Sequence, residues 1–254
     1  MKKFIKSIIA ISMVTTLLFV FSGCGNKADA NKVVMATNAE FPPFEFVASD
    51  GGFDGIDISI GEEIAKDMKA ELEVSNMDFN SVIPAVQAGK ADFGIAAMTV
   101  TDDRLENVDF SEPYWVAVQT ILVNKDNSDI TSVETLKGKK VGVVTGYTGD
   151  LTLSEIEGIN LSRYQNGIDA VQDLKNGKID AAVIDSPTAE SFMAKNAELK
   201  GITDDSVFET EEYAVAVKKG NKDLLNKINS TIKNLKESGK ISEIAAEIES
   251  HLAQ

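Results

Sequence analysis

The chain carries 25 basic side chains, and only two of them are arginines, Arg104 and Arg163. Arg104 lies in TVTDDRLENVDFSEPY (99–114), where helix electrostatics gives it no advantage. Thr101 reads as an N-cap with Asp102 and Asp103 in the first turn. Arg104 then falls where a capping box would put Glu or Gln, facing the positive end of the helix dipole. Two chemistries fit it. The guanidinium fork could pair locally with Asp102 or Asp103. Alternatively it is held for a carboxylate from outside, which the same positive end would attract. Asp185 ends the apolar run AAVID (181–185) just ahead of Ser186 and Pro187. It is either the N-cap of the next helix or an anion presented at the C-terminal end of a strand. TGYTGD (145–150) reads as a glycine-bearing turn between a strand and a helix, whose free amides and Thr148 hydroxyl suit an anion. It lacks the spacing and lysine of a phosphate-binding loop, so nucleotide binding is not expected. In FPPF (41–44) the prolines rigidify an irregular loop, which takes Phe41 out of an ordinary core strand. The one histidine, His251, is too near the C-terminus to build a catalytic triad or metal site, and no cofactor is implied.

These residues need rigid supports, and the chain supplies them in alternation. KVVMAT (32–37), ELEVSN (71–76), ADFGIAAM (91–98), KKVGVV (139–144) and IDAAVID (179–185) read as strands. ISIGEEIAKDMKA (58–70), SVIPAVQAG (81–89), GIDAVQDLKNG (167–177) and NKDLLNKINSTIKNLKESG (221–239) read as helices, several ending at glycine. The alternation predicts α/β architecture. AGKADFGIA (88–96) and NGKIDAAVI (176–184) echo each other: a helix end, then Gly-Lys, one residue, Asp, and an apolar strand. The echo suggests two lobes. YWVAVQTILVNK (114–125) is long for one strand, and YAVAVKK (213–219) resembles its return. Two strands crossing between lobes would make a hinge beside a cleft fit for a small ligand.

The first 23 residues stand apart. MKKFIKS followed by about 14 largely apolar residues and SGC fits an export signal and is too short to span a membrane. Cys24 is the sole cysteine, so no intramolecular disulfide can form. FSGC (21–24) resembles a lipoprotein lipobox, with Phe21 where an aliphatic residue is usual. Acyl chains on Cys24 would tether the protein to a membrane without spanning it. Without residues 1–23 the chain has 22 basic and 40 acidic side chains, a net charge of −18, which disfavours nucleic acid and anionic lipid surfaces.

ATNAEFPPFEF (36–46), GIDISIGEEIA (55–65), MDFNSVIPAVQAGKADFGIAAMTVTDDR (77–104), VDFSEPY (108–114), GVVTGYTGD (142–150) and GKIDAAVIDSP (177–187) resemble the polar amino acid solute-binding proteins of ABC importers. The resemblance runs from about Lys32 to the C-terminus; Ser59 departs from it, standing where a second acid is usual. It implies the two-lobed type II periplasmic binding fold, with lobe 1 from 32–119 plus 213–254, lobe 2 from 120–212, and a tether over 24–31. It also implies a free amino acid as ligand, ABC permease subunits as partners, a monomer, and no enzymatic step. A zwitterion must be desolvated at both ends, so its site needs a cation, an anion and hydroxyl or backbone donors. By resemblance Arg104 takes the carboxylate with Thr99 and the backbone at Ala97, and Asp185 takes the ammonium. Phe41 and Phe79 match the rings that sandwich the ligand side chain. Phe44 is expected as wall or core, Tyr147 as wall or surface, Trp115 as hinge cover and Met98 as a pocket-lining side chain. Asn38 and Glu40 are expected to set specificity. Neutral Asn38 leans the expectation towards a polar uncharged side chain, whereas Glu40 would favour a basic one. A cyclohexadienyl dehydratase-like enzyme on the same scaffold is the rival reading, and the pocket positions offer it few acid–base groups.

Overall fold

The alternating strands and helices close into two sheets built on one plan. The computed structural model describes residues 31–252, so the export signal and Cys24 lie outside the described residues. Contacts group Asn31–Gln254 into one compact unit. Its first part runs β1 (Lys32–Thr37), β2 (Glu40–Phe41), β3 (Glu45–Val47), β4 (Phe53–Asp54), α1 (Ile56–Asp67), β5 (Glu71–Asn76), α2 (Phe79–Gln87), β6 (Phe93–Gly94), α3 (Asp102–Leu105) and β7 (Val108–Phe110). After β8 (Trp115–Ala117) come β9 (Gln119–Asn124), β10 (Lys140–Val144), α4 (Thr148–Ser154), β11 (Asn160–Tyr164), α5 (Gly167–Lys175), β12 (Ala181–Asp185), α6 (Ser186–Lys195) and β13 (Leu199–Ile202). The chain returns through β14 (Glu211–Tyr213) to β15 (Ala216–Lys218), α7 (Lys222–Glu237) and α8 (Lys240–Leu252).

One sheet has the order β5-β1-β6-β15-β7, the other β11-β10-β12-β9-β13. In each, three strands run parallel and a strand from elsewhere in the chain inserts antiparallel beside them. The internal echo reports this shared plan at atomic level. Gly89 and Gly177 both end helices at φ 69°, a left-handed value suited to glycine. Three residues later, Asp92 accepts the Val34 N–H at 2.7 Å and Asp180 accepts the Lys140 N–H at 2.7 Å. Each carboxylate thus ties its helix-to-strand turn to the neighbouring parallel strand.

The two long apolar runs are each broken in two. The 114–125 segment divides at Val118 into β8 and β9, and 213–219 divides at Ala214–Val215 into β14 and β15. The physical reason is a change of partner. β8 and β14 pair with each other in a separate two-stranded ladder between the sheets, whereas β9 and β15 pair inside them. The 91–98 run is a strand only at Phe93–Gly94, because beyond it the chain turns through Ala97 at φ 44°. β11 and β13 were not anticipated: β11 (NLSRY) is a half-exposed edge strand with no apolar run to reveal it. α7 buries Leu224, Ile228, Ile232 and Leu235 along one stripe, as an amphipathic helix must. Among the described residues no helix is long and apolar enough to cross a membrane.

Candidate functional site

Arg104 sits in the short α3, and its N–H is accepted by the Thr101 hydroxyl at 3.3 Å, so Thr101 is the N-cap. Its side chain turns away from Asp102 and Asp103. Nη1 donates to the Thr99 carbonyl at 2.7 Å and Nη2 reaches across to the Gly146 carbonyl at 3.1 Å. The guanidinium lies over the Phe79 ring, 5.1 Å from its centroid, and the residue is only 9% exposed. Burial works against its charge, while the fields of Glu211 and Asp185 support it. It forms no salt bridge among the described residues, which removes the local ion-pair reading. The second arginine has a different task. Arg163 holds Asp150 at 2.9 Å, and Asp150 in turn accepts the Gly146 N–H at 3.0 Å, which shapes the turn that Arg104 touches.

Asp185 occupies the N-cap position of α6 but makes no side-chain cap bond there. Its carboxylate instead accepts from Gln119 Nε2 at 2.8 Å and from the Tyr213 hydroxyl. Burial, and then the nearby Glu211 carboxylate, raise its pKa to about 7. Glu211 had no place in the sequence reading. It stands on the crossing strand β14 and accepts the Thr99 hydroxyl at 2.5 Å, the Thr148 hydroxyl at 2.7 Å and Gln119 Nε2 at 2.9 Å. The single protons of Thr99 and Thr148 therefore point at Glu211, where the sequence reading had offered them to a ligand carboxylate. The signal for Glu211 was weak: TEEY sits ahead of the return strand and could equally be a solvated turn.

Phe41 and Phe79 flank one ring, Tyr147. The centroids are 5.3 Å apart for Phe41–Tyr147 and 4.5 Å for Phe79–Tyr147. Tyr147 is buried, and its hydroxyl donates to Asn38 Oδ1 at 2.9 Å. Asn38 also donates to the Met77 carbonyl at 3.0 Å. The Asn38 amide is thus spent on protein partners, and neither Asn38 nor half-buried Glu40 lines the cavity. Met98 is likewise not a pocket side chain; it is buried in the core beneath α2. Phe44 is core, with Trp115 and Tyr213 edge-on to it at 5.4 and 5.1 Å. Ala97 keeps its left-handed backbone because its N–H donates to Asp57 at 2.6 Å. Asp57 also accepts the Tyr114 hydroxyl at 2.9 Å. Behind it lies Glu45, fully buried, with its pKa pushed well up by burial and then by Asp57. Burial also raises the pKa of Asp57, to about 6, so the two neighbouring acids titrate as a pair.

Phe41, Phe79, Ala96, Ala97, Thr99, Arg104, Tyr147, Thr148 and Asp185 converge on one cavity of about 10 Å³, room for a single water. Arg104 comes from the first sheet's side and Asp185 from the second's. A guanidinium and a carboxylate on opposite walls, backed by rings and hydroxyls, can hold a small zwitterion.

The sequence is similar to known proteins over nearly its full length. A probable histidine-binding protein of Neisseria gonorrhoeae is 34% identical, with 97% of this chain and 95% of that protein aligned. The arginine-binding extracellular protein ArtP of Bacillus subtilis is 32% identical, covering 96% of each. The crystal structure of AbpA, an amino acid ABC transporter substrate-binding protein of Streptococcus pneumoniae bound to L-arginine, matches with a TM-score of 0.83. It is 33% identical over 88% of this chain and 97% of that one. The family model for bacterial extracellular solute-binding proteins, family 3, matches residues 33–248. The two-sheet architecture and the full-length likeness lead to one assignment: this chain belongs to the bacterial extracellular solute-binding proteins, family 3.

Proposed function

We infer that this protein captures a free amino acid outside the cytoplasm, between lobes 32–119 plus 213–254 and 120–212, and delivers it to an ABC permease. Its role is binding, with no catalysed reaction. The observation that carries this reading is the pair of opposite charges on opposite walls. Arg104 offers a fork to a carboxylate, and Asp185 offers an anion to an ammonium. The side chain preferred is cationic. Arg104 is one positive group against the carboxylates of Asp185 and Glu211, so a zwitterion alone leaves one negative charge, which a basic side chain offsets. The arginine-binding relatives agree with a basic one. An amino acid cannot enter a space of about 10 Å³, so admission requires the lobes to part and Tyr147 to yield its slot between Phe41 and Phe79. Residues 1–23 serve as the export signal, Cys24 carries the lipid that tethers a monomer, and residues 24–31 form the spacer.

A thermal-shift panel of the twenty amino acids on protein lacking residues 1–23 tests the reading. A ligand at a hundred times its dissociation constant stabilises by about 2.7 kcal/mol, and arginine should head the panel. Arg104→Lys should remove most of that response while the unliganded melting curve stays in place, because an ammonium cannot copy the fork. A panel with no response from any amino acid refutes capture.

A further inference from the structure

We propose that Glu211 is a positioning residue that fixes the polarity of the Thr99 and Thr148 hydroxyls, turning both into acceptors aimed at the ligand's ammonium. The inference rests on the amino-acid reading above and gives Glu211 a task beyond its charge.

A hydroxyl has one proton and two lone pairs, whereas a carboxylate only accepts. Where a hydroxyl meets a carboxylate, the direction of the bond is therefore forced. Glu211 Oε2 receives Thr99 Oγ1 at 2.5 Å and Thr148 Oγ1 at 2.7 Å. Both threonines line the cavity. With their protons committed to Glu211, they can present only lone pairs to whatever occupies it. Gln119 Nε2 also lies 3.0 Å from Thr148 Oγ1, but it has only two protons, and Asp185 and Glu211 are its closer acceptors at 2.8 and 2.9 Å. Neither hydroxyl can serve a ligand carboxylate as donor.

The rest of the cluster points the same way. Gln119 Nε2 bridges Asp185 Oδ1 at 2.8 Å and Glu211 Oε1 at 2.9 Å, so the two acids sit side by side. No lysine, arginine or histidine forms a salt bridge with either among the described residues. A primary ammonium has three N–H donors. Asp185, Thr99 and Thr148 supply acceptors in the cavity, and Arg104 remains for the carboxylate. Glu211 thus makes the α-amino group a requirement of binding. It does so from the crossing strand β14, joining a hydroxyl of each lobe to the hinge.

The test measures what the α-amino group is worth. Calorimetry compares L-arginine with 5-guanidinopentanoic acid, which lacks only that group, and L-glutamine with 4-carbamoylbutanoic acid as the neutral pair. In the unaltered protein the amino acid of the bound pair should win by a wide margin. In Glu211→Gln the carboxamide can donate as well as accept, so a threonine hydroxyl is freed to turn. The preference for the amino-bearing partner should then shrink by about tenfold or more. Thr99→Val, which keeps shape and deletes the acceptor, should shrink it similarly, and the double variant should add little. A merely structural role would weaken both partners equally and leave their ratio unchanged; that result overturns the proposal. So does a ratio that falls in Glu211→Gln but not in Thr99→Val, which would mean that the charge alone acts. Should Glu211→Gln fail to fold, judged by its unliganded melting curve, Thr99→Val decides the matter by itself. Failure of the unaltered protein to bind any amino acid would instead remove the functional reading.

Discussion

Asp57 works from behind the cleft. It accepts the Ala97 N–H at 2.6 Å and the Tyr114 hydroxyl at 2.9 Å, with buried Glu45 beside it. Ala97 has a side chain and yet sits at φ 44°, a conformation costing about 1–2 kcal/mol. Only a strong local partner holds it there, and a charged acceptor is such a partner. Asp57→Ala should therefore destabilise the unliganded protein by about 3 kcal/mol or more, because it orphans a buried backbone donor and a buried phenol together. Chemical denaturation checks this; a loss below 1 kcal/mol would show that the acid pair does not support the Ala97 turn. The same residue illustrates how little of a site's backing can be read in advance. GIDIS shows an acid near a helix start, which usually means a solvated cap. Its burial depends on Glu45, Tyr114 and Ala97 arriving from distant parts of the chain.

At the scale of elements, the turn between β10 and α4 is where the two lobes meet. The Gly146 carbonyl accepts from Arg104, the Thr145 carbonyl from Asn80 at 3.4 Å, and the Tyr147 hydroxyl reaches Asn38. Gly146 has φ 80°, and a Cβ there would come within 2.2 Å of Asn80 Oδ1. The clash lies between lobes, so it opposes closure more than folding. Gly146→Ala should weaken amino-acid binding by about tenfold, because Asn80 can no longer approach the turn closely, while the φ strain of about 1–2 kcal/mol acts on folding. The unliganded melting temperature should fall by only a few degrees. Equal affinities for the two proteins in calorimetry would show that this turn does not govern closure.

For the whole molecule, three buried acids set the response to pH. Glu45 is pushed well above the usual carboxylate range, Asp57 to about 6 and Asp185 to about 7. The unfolded chain returns each to an ordinary value near 4. Between those limits the folded protein holds more protons than the unfolded one, so stability falls as pH rises. Unliganded protein should melt several degrees higher at about pH 5 than at about pH 8, and Asp57→Asn should reduce the difference. A flat or rising profile would contradict the raised values of the three acids. The exposed acids with lowered values, such as Asp109 and Asp204, lose their contribution only below the ordinary carboxylate range and do not offset the trend.

Local order was open to a reader of the sequence. The strand at 32–37, the helix at 222–237, the glycine helix ends and the Gly-Lys-x-Asp echo depend on periodicity and turn chemistry, which act between near neighbours. The resemblance to a known family was legible too, and it alone implied that Arg104 and Asp185 serve one site; both line the cavity. What only the tertiary structure decided was which partner each polar group finds. Thr99 and Thr148 turned to Glu211, Asn38 turned to Tyr147, and Tyr147 filled the slot between Phe41 and Phe79. A hydrogen bond is directional and reaches about 3 Å, so its choice depends on which groups two separately folded sheets bring together, and no stretch of sequence contains that information.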